Sequence, residues 1–239
     1  MIGLGTIINS SAIIAGGIIG TVSGKFISER YRDILIKASS LCVMFLGIGG
    51  TIEKMMTVNG NALSSTGTMM MIISFAIGSL IGEFFDLEGK INTFGEFLKR
   101  KTNSTGDTGF VNGFVTASVT VCVGAMAVVG SVKDGISGDF SVLAAKSLLD
   151  FIIILIMSSS LGKGCIFSAI PVFLFQGSIT VFAHFIEPYL TQSALSNLSL
   201  TGSMLIFCIG ANLIWDKKFK VANMLPAIFV AVIWAFIFK

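Results

Sequence analysis

"VLAAKSLLDFIIILIM", residues 142–157, places Lys146 and Asp150 four apart at the front of an apolar run. A spacing of four puts both side chains on one face of a helix. The run continues to residue 161 with no further charge, the length at which a helix crosses the hydrocarbon core of a bilayer. The rest of the chain has the same character. Of 239 residues, 54% are hydrophobic and 12% charged, and the mean hydropathy is +0.90. Soluble domains carry about 25% charged residues, so this chain cannot coat a globular surface with charge. The fold class is all-α, a polytopic transmembrane helix bundle.

Eight spans are expected, at about 3–22, 35–52, 67–85, 109–132, 141–161, 166–186, 201–215 and 223–238. With those spans, twelve of the sixteen Lys and Arg residues fall on one side, among them Arg30, Lys37, Lys99, Arg100, Lys163 and Lys220. Only Lys54, Lys133 and Lys239 fall on the other, and Lys146 lies within a span. Positive loops stay in the cytoplasm, so both termini are expected outside. The N-terminus has no basic residue before Lys25 and no small-residue cleavage site, so it is expected to be a retained span.

The segment "DLEGKINTFGEFLKRK" sets Leu87, Ile91, Phe94 and Leu98 on one helical face, the pattern of a cytoplasmic interfacial helix. "TNSTGDTG" (102–109) follows as a linker. The chain thus divides into a three-span half (1–87), a cytoplasmic helix and linker (88–108), a second three-span half (109–190) and two further spans (191–239). The two halves share motifs in order. "GTIINSSAIIAG" (5–16) matches "GFVTASVTVCVG" (113–124), "LIKASSL" (35–41) matches "LAAKSLL" (143–149), and "GSLIGEFFDLE" (78–88) matches "GSITVFAHFIE" (177–187). A repeated unit of three spans is inverted in the membrane, an arrangement that places a site near the midplane in transporters.

Glycines at positions 16, 20 and 24 form a small-residue stripe that lets backbones approach in lipid. Breaks are expected at "FLGIGGTI" (45–52), around Gly49, and at "SSSLGKG" (158–164), around Gly162. Pro171 is expected to kink the sixth span. A charge inside a span costs roughly 3 kcal/mol on insertion scales, so Lys146 and Asp150 are expected to pair and face the interior. Asn9, Gln176 and Asn212 also lie within spans and can join them around a polar cavity. Interhelical packing explains such polar residues equally well.

Other classes find little support. No GxSxG, HExxH or Walker loop occurs, and no enzyme is expected. One histidine, His184, and four scattered cysteines build neither a metal site nor a disulfide framework. No cofactor and no nucleic-acid partner is expected. The expected partners are the lipid bilayer and a small solute or ion, with a glycine face available for a homo-oligomer. The expected function is a transporter. A passive channel and a non-transporting scaffold or sensor acting through residues 88–101 are the alternatives.

"GTIINSSAIIAGGIIG" (5–20, preceded by Leu4), "IGSLIGEFFDLE", "VCVGAMAVVGSVKDGISGD", "KSLLDFIIILIMSSSLGKG", "FQGSIT" and "VANMLPA" together resemble the bacterial YdfK/YqgA group, the integral membrane family known as domain of unknown function 554. The resemblance covers nearly the whole chain. It implies a bacterial cytoplasmic-membrane location and a multi-span helical fold. It brings no substrate and no assigned functional residues.

Overall fold

The computed structural model of the chain describes residues 2–24, 26, 28–59, 62–104, 106–122, 124–215 and 219–237. The chain gathers into two compact units. The first comprises Met1–Ser39 with Ile91–Pro188, and the second Ser40–Lys90 with Tyr189–Lys239. These units cut across the sequence halves, because the first half contributes to both.

The first unit is built on α1 (Leu4–Gly24) and α7 (Ser141–Leu161). Their seam is made by the small-residue stripe. Gly16, Gly20 and Gly24 face the backbone carbonyls of Phe151, Leu155 and Ser159, one turn apart on each helix. A Cβ at Gly20 would collide with the Leu155 carbonyl, so only glycine allows this approach. Gly16 and Gly20 are therefore packing positions. Around the seam stand α5 (Phe110–Cys122), α6 (Ala125–Ser137) and α8 (Ala169–Val181), followed by the short α9 (Ala183–Ile186). Helix α4 (Leu87–Lys101) lays Leu98 against Phe110 and Phe114, and its Phe94 ring meets Phe114 at 5.9 Å. Its apolar face is thus covered in part by protein.

The second unit holds the later turns of α2 (Glu29–Met55), the hairpin β1 (Met56–Asn59) and β2 (Ala62–Ser65), α3 (Thr68–Phe84), α10 (Gln192–Ile214), α11 (Val221–Met224) and α12 (Pro226–Ile237). The strands are antiparallel, with Met56 opposite Ser65. The hairpin was not expected, since the period-2 signal in eight polar and apolar residues is slight beside the spans around it. Helix α10 starts at a sequence-encoded cap, where Thr191 accepts from the Ala194 N–H at 3.1 Å. Gly47 packs on the backbone of Ser203 and Phe207, and the Ser40 hydroxyl donates to the Gly210 carbonyl at 2.6 Å. On the other side Gly78 meets Ala227 and Gly82 meets the Asn223 backbone.

Several expectations need correction. Helix α2 runs unbroken through residues 45–52, and Gly49 has open space where a Cβ would stand, so it neither breaks nor packs the helix. The expected span 109–132 is the one that breaks. α5 and α6 meet at a bend of 62°, with Gly124 at φ +155°. Only glycine takes that conformation without strain. The expected break at 158–164 falls between helices: α7 ends at Leu161, Gly162 has φ +88°, and a 3-10 helix (Lys163–Ser168) leads into α8. Pro171 stands just after the 3-10 helix gives way to α8, not in the middle of a long span. It lies in the first turn of α8, where a missing N–H goes unfelt.

Five described helices are long and apolar enough to cross a membrane, or seven if the bent pairs α3–α4 and α5–α6 each count as one. Residues 221–237, the eighth expected span, form a shorter apolar segment. The seventh expected span is longer than the sequence suggested, since α10 begins at Gln192 rather than near residue 201.

Candidate functional site

The interior of the first unit is polar. Lys146 and Asp150 are both buried on α7. The Lys146 Nζ donates to Asp150 Oδ2 at 2.5 Å and to the Val121 carbonyl at 2.8 Å. Val121 lies in the last turn of α5, where helix carbonyls lose their intrahelical donors. The break at Gly124 therefore creates the acceptor that the ammonium uses. Asp150 is held from a third element as well. Asn9, fully buried on α1, donates through Nδ2 to Asp150 Oδ2 at 3.0 Å and to Gln176 Oε1 at 3.3 Å. Gln176 is fully buried on α8.

Four of the five residues expected at the site are thus one connected network: Asn9, Lys146, Asp150 and Gln176. Asn212 is not part of it. Its amide is bonded at both ends to Phe219, accepting from the N–H at 2.9 Å and donating to the carbonyl at 2.7 Å. It ties the end of α10 to Phe219 in the second unit. An asparagine near a helix end carries no sequence mark that separates the two roles.

Asp134 was missed. It lies on α6, fully buried, and accepts from the Gly3 and Gly5 N–H groups at 3.2 and 3.0 Å. Its carboxylate closes the N-terminus of α1, where helix donors lack partners and the dipole favours negative charge. Beside Lys133 and Gly135 it read as a loop residue. Helix α6 runs on to Ser137, past the expected end of the span at residue 132, and no sequence signal marks Asp134 as lying inside it.

Six further polar atoms in this interior are buried without a hydrogen-bond partner among the described residues. They are the hydroxyls of Thr6, Ser10, Ser131 and Thr180, Asn9 Oδ1 and Gln176 Nε2. Buried polar groups are nearly always paired, so this concentration marks the interior of the first unit as the candidate site. Near the far end of α1, an open cavity of about 760 Å³ is lined by Thr21, Gly24, Asp33, Asp107, Ser159 and Lys163, among others. Its carboxylates are engaged: Asp33 with Lys37 at 2.6 Å and Asp107 with the Gly109 N–H at 3.0 Å. His184 is exposed on α9. No three His, Cys, Asp or Glu side chains gather as a metal site among the described residues.

Long apolar helices enclosing a hydrogen-bonded charge network define a polytopic helical membrane protein. The chain belongs to the family described as "Protein of unknown function (DUF554)", which it matches over residues 4–236. It is 30% identical over 233 residues to the "Uncharacterized membrane protein YdfK" of Bacillus subtilis (strain 168), covering 98% of this chain and 96% of that one. It is 29% identical over 232 residues to the "Uncharacterized protein YqgA" of Escherichia coli (strain K12), covering 95% and 94%. No solved structure matches.

Proposed function

We propose that the chain is a transporter of the bacterial cytoplasmic membrane that moves a small solute or ion through the polar interior of its first unit. The observation that carries this reading is the Lys146–Asp150 pair against the Val121 carbonyl at the α5–α6 break. A structural bundle has no need of charge at that depth, and intramembrane charges mark solute and ion pathways. Broken helices that turn backbone carbonyls toward a charged site recur in transporters. In this reading both termini face outside, which the Lys and Arg distribution over eight spans favours. Spans one to three and four to six are inverted repeats whose chemistry has diverged: Lys37, the counterpart of Lys146, is exposed and paired with Asp33.

Proteoliposomes carrying the purified chain test the reading. Ions, amino acids, polyamines and short carboxylates are screened for saturable flux, beside the neutral double variant Lys146→Gln/Asp150→Asn. Saturable flux that the folded double variant loses supports a transporter. Unitary currents of channel size would replace that reading with the channel. Absence of any flux would leave the scaffold.

A further inference from the structure

We infer that the polar interior takes up a proton and a small monovalent carboxylate together, the proton on Asp150 and the carboxylate on Lys146. This rests on the transporter reading and names its substrate class. The inference begins with two amides. Asn9 uses its Nδ2 twice, toward Asp150 and toward Gln176 Oε1, while its own Oδ1 and the Gln176 Nε2 have no partner among the described residues. The two ends of an amide have nearly the same shape and opposite hydrogen-bonding character. Turning both amides over preserves the bond between them, with Gln176 Nε2 now donating to Asn9 Oδ1. It also presents Asn9 Oδ1 to Asp150 Oδ2. Two oxygens at hydrogen-bond distance need a proton between them, and a protonated Asp150 supplies it. The same side chains therefore serve both charge states of Asp150 without a helix moving.

Protonation has a consequence for Lys146. Its ammonium keeps the Val121 carbonyl and loses its counter-charge. A buried ammonium without a counter-ion is strongly disfavoured. The other charged and titratable groups around Asp150 offer no replacement. Cys122 lies close by on α5 as a half-buried thiol, and Cys165 of the 3-10 helix donates to the Gly113 carbonyl. Asp134 on α6 is committed to the start of α1. Lys163 is exposed, and α1 and α8 carry no titratable side chain. An entering anion is the remaining neutraliser. The unpartnered hydroxyls of Thr6, Ser10, Ser131 and Thr180 on α1, α6 and α8 are donors suited to its oxygens. The charge balance closes. One proton forms the Asp150 O–H, one monovalent anion pairs with Lys146, and the interior stays neutral. A monovalent metal cation on Asp150 would balance the charge equally, so a comparison of potassium and choline salts separates it from the proton. A divalent anion would leave an excess negative charge.

Melting temperature of the full-length protein, titrated with potassium formate, choline formate and potassium acetate between pH 5 and 8.5, reads the linkage. A ligand that binds the folded state raises its melting point. Formate or acetate is expected to stabilise at acid pH, whichever cation accompanies it. Its apparent affinity should weaken about tenfold per pH unit above the titration of Asp150, the signature of one linked proton. Asp150→Asn mimics the protonated acid, so it should bind formate with no pH dependence, and Lys146→Gln should not bind it. Should Asp150→Asn fail to fold, an indicator dye in weak buffer counts protons taken up by the wild-type protein, with one expected per formate bound. PH-independent binding, loss of binding in folded Asp150→Asn, no shift with either carboxylate, or a shift that follows potassium rather than formate would each overturn the inference. Proton-linked binding without flux would leave it standing and remove the transporter reading. Flux without linked binding would do the reverse.

Discussion

Two lysine–carboxylate pairs have the same length and opposite surroundings. Lys146–Asp150 in the first unit and Lys220–Glu83 in the second both close at 2.5 Å. The side chains of the first are 8% and 5% exposed, and those of the second 60% and 57%. Length therefore says nothing about energetic weight. In water, the gain from an ion pair is offset by screening and by the entropy of holding two flexible side chains. In a dry interior, each partner makes the other's burial tolerable, so removing one leaves an uncompensated charge. The exposed pair belongs to a different device. Asn223 donates to Glu83 at 2.6 Å and accepts from the Glu88 N–H at 2.6 Å, while Glu88 accepts from the Ala222 N–H at 3.0 Å. The start of α4 and the start of α11 thus cap each other, and Lys220 only trims the edge.

The comparison breaks first at Lys146. Lys146→Met should destabilise the protein by roughly 3–5 kcal/mol, measured by unfolding in detergent, and Lys146→Met/Asp150→Leu should recover most of that loss. An equal effect from Lys220→Met would mean that burial is not what separates the pairs. The next effect belongs to the α1–α7 seam. Gly20→Leu should cost at least the ~1–3 kcal/mol of an overpacked core, because its side chain meets the Leu155 backbone. Gly49→Leu, with open space around it, should be tolerated. Asn223→Ala should cost about 1–2 kcal/mol, the range of a lost cap, read as faster proteolysis between α3 and α4. Smallest is Lys220→Met, which should scarcely move the melting temperature. Glu83 holds the Lys220 ammonium above its ordinary titration range by a hydrogen bond and by its charge. That small contribution is present below the ordinary lysine pKa and fades as pH rises through the raised one. A melting curve that fell on acidification in the wild type alone would reverse that sign.

The composition and spacing of the sequence made the class of fold legible, together with four network residues. Lys146 and Asp150 stood out because charge in an apolar run needs a partner, and Asn9 and Gln176 because few polar groups lie deep in spans. What stayed hidden depends on contacts between distant segments. Gly124 breaks its helix while Gly49 does not, although both sit among apolar residues. The Val121 carbonyl exposed by the first break is taken by Lys146, whereas residues 45–52 stay helical and pack Gly47 on α10. Asp134 read as loop for the same reason, since its partners lie 131 and 129 residues away.

That distance also sets an order of events during synthesis. α1 leaves the ribosome before α6, so the carboxylate that closes its N-terminus is made well over a hundred residues later. Until α6 arrives, the amides of Gly3 and Gly5 must find water or lipid headgroups. The nascent chain therefore has reason to keep the start of α1 at the membrane surface, and that start becomes fixed only once α6 has been translated.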